Sequence, residues 1–132
     1  MLGRLRRWRR IGNTKSALPL NVVGDVRLER HPAVIDEDIP VIYSFIAKDD
    51  EAAAERVLDA VSQTFALLVS QPDAGVVYRT RNTNLRGVKM IPVEGYRNFV
   101  VFYRTAADYV RVLYVVHGAR NLVRFFADAP RE

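Results

Sequence analysis

The sequence predicts an α+β fold: an N-terminal strand, then a helical hairpin packed on a small antiparallel sheet. Three observations carry this expectation. Apolar residues recur every three or four positions from Ile35 to Leu68, as on a buried helix face. After Gly75 the pattern turns to short runs rich in β-branched and aromatic residues, which strands prefer. Between the two regimes lies "QPDAG" (71–75), with a proline that cannot continue a helix and a glycine suited to a turn. An apolar helical face and an apolar sheet face bury one another as two layers.

Taken in order, residues 1–20 read as a basic extension outside the folded domain. Arg4, Arg6, Arg7, Arg9, Arg10 and Lys15 stand there with no acid, and Gly12 to Ser16 interrupt the apolar core that a secretory signal needs. The extension is expected to be disordered, or to follow from a start placed upstream of the native one. The sharper alternative is a phosphate-binding arm in which Trp8 stacks on a base. The folded domain is expected over 21–127, followed by a tail, 128–132. "NVVGDVRLER" (21–30) opens it as a strand, with Val22, Val26 and Leu28 among polar residues.

Ile35, Ile39, Ile42 and Ile46 then form one helical stripe. Pro40 fits if Asp36 or Asp38 caps the helix and the proline lies in its first turn. If the helix begins near Pro32, a kink at Pro40 is expected. Asp49 or Asp50 can cap the second helix, whose stripe is Ala54, Val57, Leu58, Val61, Phe65 and Leu68. "GVVYRTR" is a short strand or lead-in, and "LRGVKMIPV" (85–93), "YRNFVVFYR" (96–104) and "YVRVLYVVH" (109–117) are strands, the last two joined by a "TAAD" hairpin turn. Strict alternation puts Val110, Val112, Tyr114 and Val116 on one face, and Tyr109, Arg111, Leu113, Val115 and His117 on the other.

Composition narrows the chemistry. The chain has 132 residues, 49% of them hydrophobic, with no cysteine and two histidines. Disulfides, thiolate nucleophiles and cysteine zinc sites are excluded, as is a histidine-rich metal site. No metal or cofactor is expected, and no stretch is long and apolar enough to span a bilayer. The net charge of +5 is unevenly spread: residues 49–73 carry six acids against Arg56, whereas residues 74–132 carry ten basic residues against four acids. Such asymmetry bears on partners rather than on fold.

The apolar run ending in "VVHGARNL" (115–122) raises a choice for His117. A histidine at a strand end is more often a hydrogen-bonded structural residue than a catalyst, and neither a carboxylate nor a serine adjoins it in sequence. Arg97, Arg104 and Arg111 invite a nucleic-acid groove, but alternation favours the solvated face of a sheet. Tyr96, Phe99, Phe102, Tyr103, Tyr109 and Tyr114 suit core and cross-strand packing. Phe125 and Phe126 would dock as a short tail helix or, uncovered, seek a partner.

The ordered set "DIPVIYSFIAKDDEAAAERVLDAVSQTFALLVSQPDAG", "LRGVKMIPVEGYRNFVVFYR" and "VRVLYVVHGARNL" resembles the ParE branch of the RelE/ParE toxin superfamily, over residues 38–122. The resemblance implies a RelE/ParE-like fold and a cytoplasmic bacterial toxin that causes growth arrest. It also implies plasmid stabilisation and a small ParD-like antitoxin, whose tail folds along the toxin as helix and strand in a hetero-oligomer. ParE-type members poison DNA gyrase by protein contact, and RelE-type members cut messenger RNA on the ribosome. Fold alone does not choose between them.

Related nucleases place an arginine three residues before the central-strand tyrosine, and an aromatic after the terminal histidine. If that tyrosine is Tyr103, those positions hold Val100 and Gly118. The expectation is therefore gyrase inhibition without catalysis. The alternatives are a messenger-RNA endonuclease built on Arg97, Arg104 and His117, and an inactive toxin-like binding module. The residues expected to meet a partner are Arg86, Arg104, Arg111, His117, Arg120, Phe125 and Phe126, since acidic antitoxin residues suit the basic half of the chain.

Overall fold

The computed structural model describes residues 26–117 and Arg131. Strand β1 (Arg27–Arg30) leads through a π-turn (Val34–Asp38) into helix α1 (Ile39–Ala47), and helix α2 (Glu51–Ser70) follows. Then come β2 (Val76–Val77), a 3-10 turn (Thr83–Leu85), β3 (Lys89–Val93), β4 (Tyr96–Ala106) and β5 (Tyr109–His117). The strand order is β1-β5-β4-β3-β2. Of the expected first strand, residues 21–25 lie outside the described residues, as do the basic extension and residues 118–130.

The sheet is mixed rather than wholly antiparallel. Pairs β2–β3, β3–β4 and β4–β5 are antiparallel, but β1 runs parallel to β5, with Leu28 opposite Val110 and Arg30 opposite Val112. Parallel neighbours need a long connection, and here it comprises both helices and three strands. The "TAAD" turn is also shorter than expected. Thr105 and Ala106 still pair, with Val110 and Tyr109, leaving Ala107 and Asp108 as the two-residue loop.

Helix α2 follows its sequence pattern. Asp50 is extended and accepts a hydrogen bond from the Ala53 N–H at 3.1 Å, capping the first turn. All six stripe residues are buried. Thr64, also buried, satisfies its hydroxyl by donating to the Ala60 carbonyl at 2.8 Å.

The helical run that leads into α1 begins at Pro32, the start assumed by the second expectation, and a π-turn precedes Pro40. His31 holds the start: its Nδ1 accepts from the Ala33 N–H at 3.1 Å, with Pro32 in the first helical position. Five residues of π-turn follow, ending where the Ile39 N–H reaches the Val34 carbonyl. Pro40 comes next, in the first turn of the α-helical stretch, where a missing N–H is tolerated. The register change thus absorbs the proline. Asp38 is helical and makes no cap, contrary to the expectation; its carboxylate turns to the sheet instead.

A β-bulge reorganises β5. Phe102 pairs with Tyr114 and Tyr103 with Val112, so Leu113 is the extra residue. Past the bulge the faces exchange. Val110, Val112 and Val115 join the helix-side core, whereas Leu113, Tyr114 and Val116 lie in a second cluster with Leu85, Val88 and Phe102. The uniform alternation expected along 109–117 fails for this reason. Tyr103 and Val112 share the helix-side core with Val61 and Phe65, so the helical hairpin does pack on this sheet.

Tyr103 also fastens the 71–75 loop. Its hydroxyl donates to the Pro72 carbonyl and accepts from the Gly75 N–H, both at 2.9 Å. Burial raises its pKa, with the Gly75 N–H opposing. Gly75 sits so close that a Cβ would lie 2.6 Å from the Tyr103 hydroxyl and 2.7 Å from the Met90 carbonyl oxygen.

Candidate functional site

Helix α1 is apolar almost all round, and the sheet covers only part of it. Ile39, Ile42 and Tyr43 face the core, while Val41 and Phe45, one turn apart, are 66% and 61% exposed. A helix that buries one apolar face and shows another is prepared for a second contact. Between this helix and the ends of β4 and β5 runs a groove of about 370 Å³, floored by Ile42, Phe99 and Val115 and flanked by Val41, Phe45 and His117. His117 stands edge-on to Phe99, with ring centroids 5.2 Å apart, and 6.5 Å from the Phe45 ring. It marks the strand end as expected, but through aromatic packing.

The opposite end of the groove is acidic and clasped. Buried Asp38 accepts from the Val115 N–H at 3.0 Å and from Arg131 Nη1 at 2.6 Å. Arg131 also donates to the Leu113 carbonyl at 3.0 Å and reaches Glu37 at 3.2 Å. Its guanidinium lies 4.4 Å from the Tyr114 ring centroid, and its backbone N–H donates to the Tyr114 hydroxyl. The bulge explains this convergence. It leaves the Leu113 carbonyl for Arg131, and the next N–H on that side for Asp38. Desolvation raises the Asp38 pKa, opposed by the hydrogen bonds from Arg131 and Val115. His31, nearby, is held below its usual pKa by burial and then by the charges of Arg131 and Arg111.

The residues singled out from sequence do not converge on one point. His117 pairs with Phe99, and Arg104 with Arg111 five positions along β4, about 17 Å at strand rise. Arg104 and His117 also project from opposite faces, since Phe99, Val101 and Tyr103 mark the helix side of β4. Arg97 is exposed two residues before Phe99. Arg104 holds the 84–86 turn, donating to the carbonyls of Arg86 at 2.6 Å and Asn84 at 2.5 Å. Arg111 reaches Glu29 at 3.5 Å, and its Nε is buried without a partner. Arg30, beside it in the sheet edge, lies 5.6 Å from the Phe65 ring centroid, and burial lowers its pKa to about 10. Arg86 is exposed. Arg120, Phe125 and Phe126 lie outside the described residues.

Comparison with known proteins decides the family. Residues 32–122 match the family described as "ParE toxin of type II toxin-antitoxin system, parDE". The chain belongs to the ParE toxin family. A solved chain titled "Chromosomal ParDE TA system from P. aeruginosa" is similar in fold to this ParE-family protein. The TM-score is 0.58 at 13% sequence identity, covering 74% of this chain and all of that one. Among curated proteins none matches the sequence. The α+β architecture of the ParE family is thus the one found here, with the N-terminal strand at the sheet edge.

Two features of this ParE-family chain escape a sequence-only reading. Val41 and Phe45 sit off the isoleucine stripe, and the signal was "PVIYSF" (40–45) itself, too apolar for a helix with one buried face. The Asp38–Arg131 clasp had no local signal, because its partners are 93 residues apart. Among the described residues no cluster of His, Cys, Asp or Glu could hold a metal ion, and no helix is long and apolar enough to cross a membrane.

Proposed function

We propose that this ParE-family toxin arrests growth in the cytoplasm by non-covalent contact with DNA gyrase. A cognate antitoxin, ParD-like in kind, neutralises it by seating an amphipathic helix in the Val41–Phe45 groove. The observation that carries the proposal is the groove: two large apolar side chains stand exposed on a rigid helix, above a floor of buried Ile42, Phe99 and Val115. Such an anchor pair, one helical turn apart, suits a helix-in-groove partner. The similar solved fold comes from a ParDE system, which fits an antitoxin as that partner. β1 and β2 form the outer strands of the sheet. Val76 and Val77 on β2 are 61% and 58% exposed, so the antitoxin's extended segment has an edge to join.

Contact rather than catalysis is supported by the dispersal of Arg97, Arg104 and His117, and by the structural hydrogen bonds that occupy Tyr103 and Arg104. General acid–base chemistry needs its groups within hydrogen-bond reach of one reacting centre. Inducible expression without antitoxin tests the proposal. Gyrase-dependent DNA breaks with an intact transcript pool are expected. Cleaved transcripts with undamaged DNA would favour the nuclease, and no growth arrest would favour an inactive binding module. Calorimetry with the antitoxin is expected to give nanomolar-class binding or tighter, on the order of −12 kcal/mol.

A further inference from the structure

We propose that the loop between β2 and β3 is a docking surface for the phosphodiester backbone of duplex DNA. It goes beyond the gyrase proposal and does not depend on it. The loop, "YRTRNTNLRGV" (78–88), has Arg79, Arg81 and Arg86 exposed, and no acid occurs from Ala74 to Val93. Among the described residues, none of these three guanidiniums has an acidic partner, unlike Arg27, Arg56, Lys89, Arg111 and Arg131.

The loop is also well built. Leu85 and Val88 anchor it, each 1% exposed. The Asn82 side chain accepts from the Asn84 N–H at 3.0 Å, and the Thr80 hydroxyl accepts from the Asn82 N–H at 3.0 Å. Arg104 reaches the loop from β4 and holds two of its carbonyls, and among the described residues it makes no ion pair. The result is a concave surface of about 290 Å³ bearing Arg79, Arg81 and Arg86.

Charge distribution orients the ligand. The loop covers the sheet face away from the helices, while Asp49, Asp50, Glu51, Glu55 and Asp59 lie on the helical layer. An anion is therefore drawn to the loop face and repelled from the other. Guanidinium forks match phosphate oxygens in pairs. The loop's one aromatic, Tyr78, is half-buried and edge-on to Phe102 at 5.4 Å. No stacking platform is offered for single-stranded bases, and contact to phosphates alone suits a duplex.

The test uses the full chain carrying alanine at Arg4, Arg6, Arg7, Arg9 and Arg10, so that the N-terminal arginines add nothing. Fluorescence anisotropy with a labelled mixed-sequence duplex of about 20 base pairs, over a salt series, is expected to show binding that weakens as salt rises. Further substitution Arg79→Ala, Arg81→Ala, Arg86→Ala should flatten the slope of log Kobs against log salt by about 2 to 3, at roughly 0.9 for each phosphate no longer neutralised. Arg97→Ala, removing an exposed arginine outside the loop, should leave the slope unchanged. No binding in the parent, or an equal slope after the triple substitution, overturns the proposal. So does binding to single-stranded RNA or polyglutamate as tight as to the duplex.

Discussion

Tyr103→Phe isolates what the structure assigns to one hydroxyl. The ring stays in the helix-side core, and only the bonds to Pro72 and Gly75 are lost. Each intramolecular hydrogen bond contributes about 1 kcal/mol net, so losing both costs ~2 kcal/mol. Gly75 is half-buried, and water recovers part of its bond, leaving ~1.5 kcal/mol. Unfolding entropy of ~2.1 cal/mol/K per residue, taken over residues 26–117, gives ~0.2 kcal/mol/K, hence a fall in Tm of about 8 °C. The assay is thermal unfolding by circular dichroism, checked by urea denaturation at unchanged m. A shift below about 2 °C would refute the hydroxyl's role in fastening the loop. Loss of toxicity with unchanged Tm would instead make Tyr103 a reacting group.

Gly75→Ala should cost more than Tyr103→Phe, on the order of 2–4 kcal/mol, because its Cβ meets the Tyr103 hydroxyl and the Met90 carbonyl below contact distance; denaturant midpoints of both variants check the order. Because the pKa of His31 is depressed in the folded chain, its stability contribution is present above the usual histidine value and is lost as pH falls through the lower one. His31→Asn keeps an N-cap acceptor and should flatten that part of the stability–pH curve on the acid side of the usual histidine value, as read by urea midpoints. Asp38 has the opposite sign. Its raised pKa favours the folded state on the acid side, so wild type should lose stability relative to Asp38→Asn as pH climbs from about 4. Phe45→Ala should leave Tm within ~2 °C, since the side chain is exposed, yet weaken antitoxin binding about thirtyfold or more, as for a hot spot worth ~2 kcal/mol.

The fold was legible where periodicity and punctuation agree. The α2 stripe, a cap at Asp49 or Asp50 and the Gln71–Gly75 stop all follow from spacing and residue type, and the structure selects Asp50. What escaped the sequence depends on contacts between distant segments. The parallel pairing of β1 with β5 is settled by which edge the first strand reaches. The Leu113 bulge is invisible in a run of uniformly apolar residues, where either face tolerates any member. Asp38 resembled a cap because it precedes a proline by two residues, but a π-turn removed the need for one and freed the carboxylate for β5. For the candidate site, His117 was placed at a strand end from sequence, whereas its groove needed Phe45 and Phe99 brought beside it. The arginines of β4 and β5 drew notice as a set; in space Arg104 and Arg111 serve neighbouring segments, and the exposed Arg79, Arg81 and Arg86 gather on the preceding loop.

The most direct test of the central claim is a supercoiling assay with purified gyrase, plasmid and this chain. The account predicts loss of supercoiling and trapped double-strand breaks that need gyrase, both abolished when antitoxin is added first. Undisturbed supercoiling at micromolar toxin, from protein that still arrests growth in cells, would contradict it.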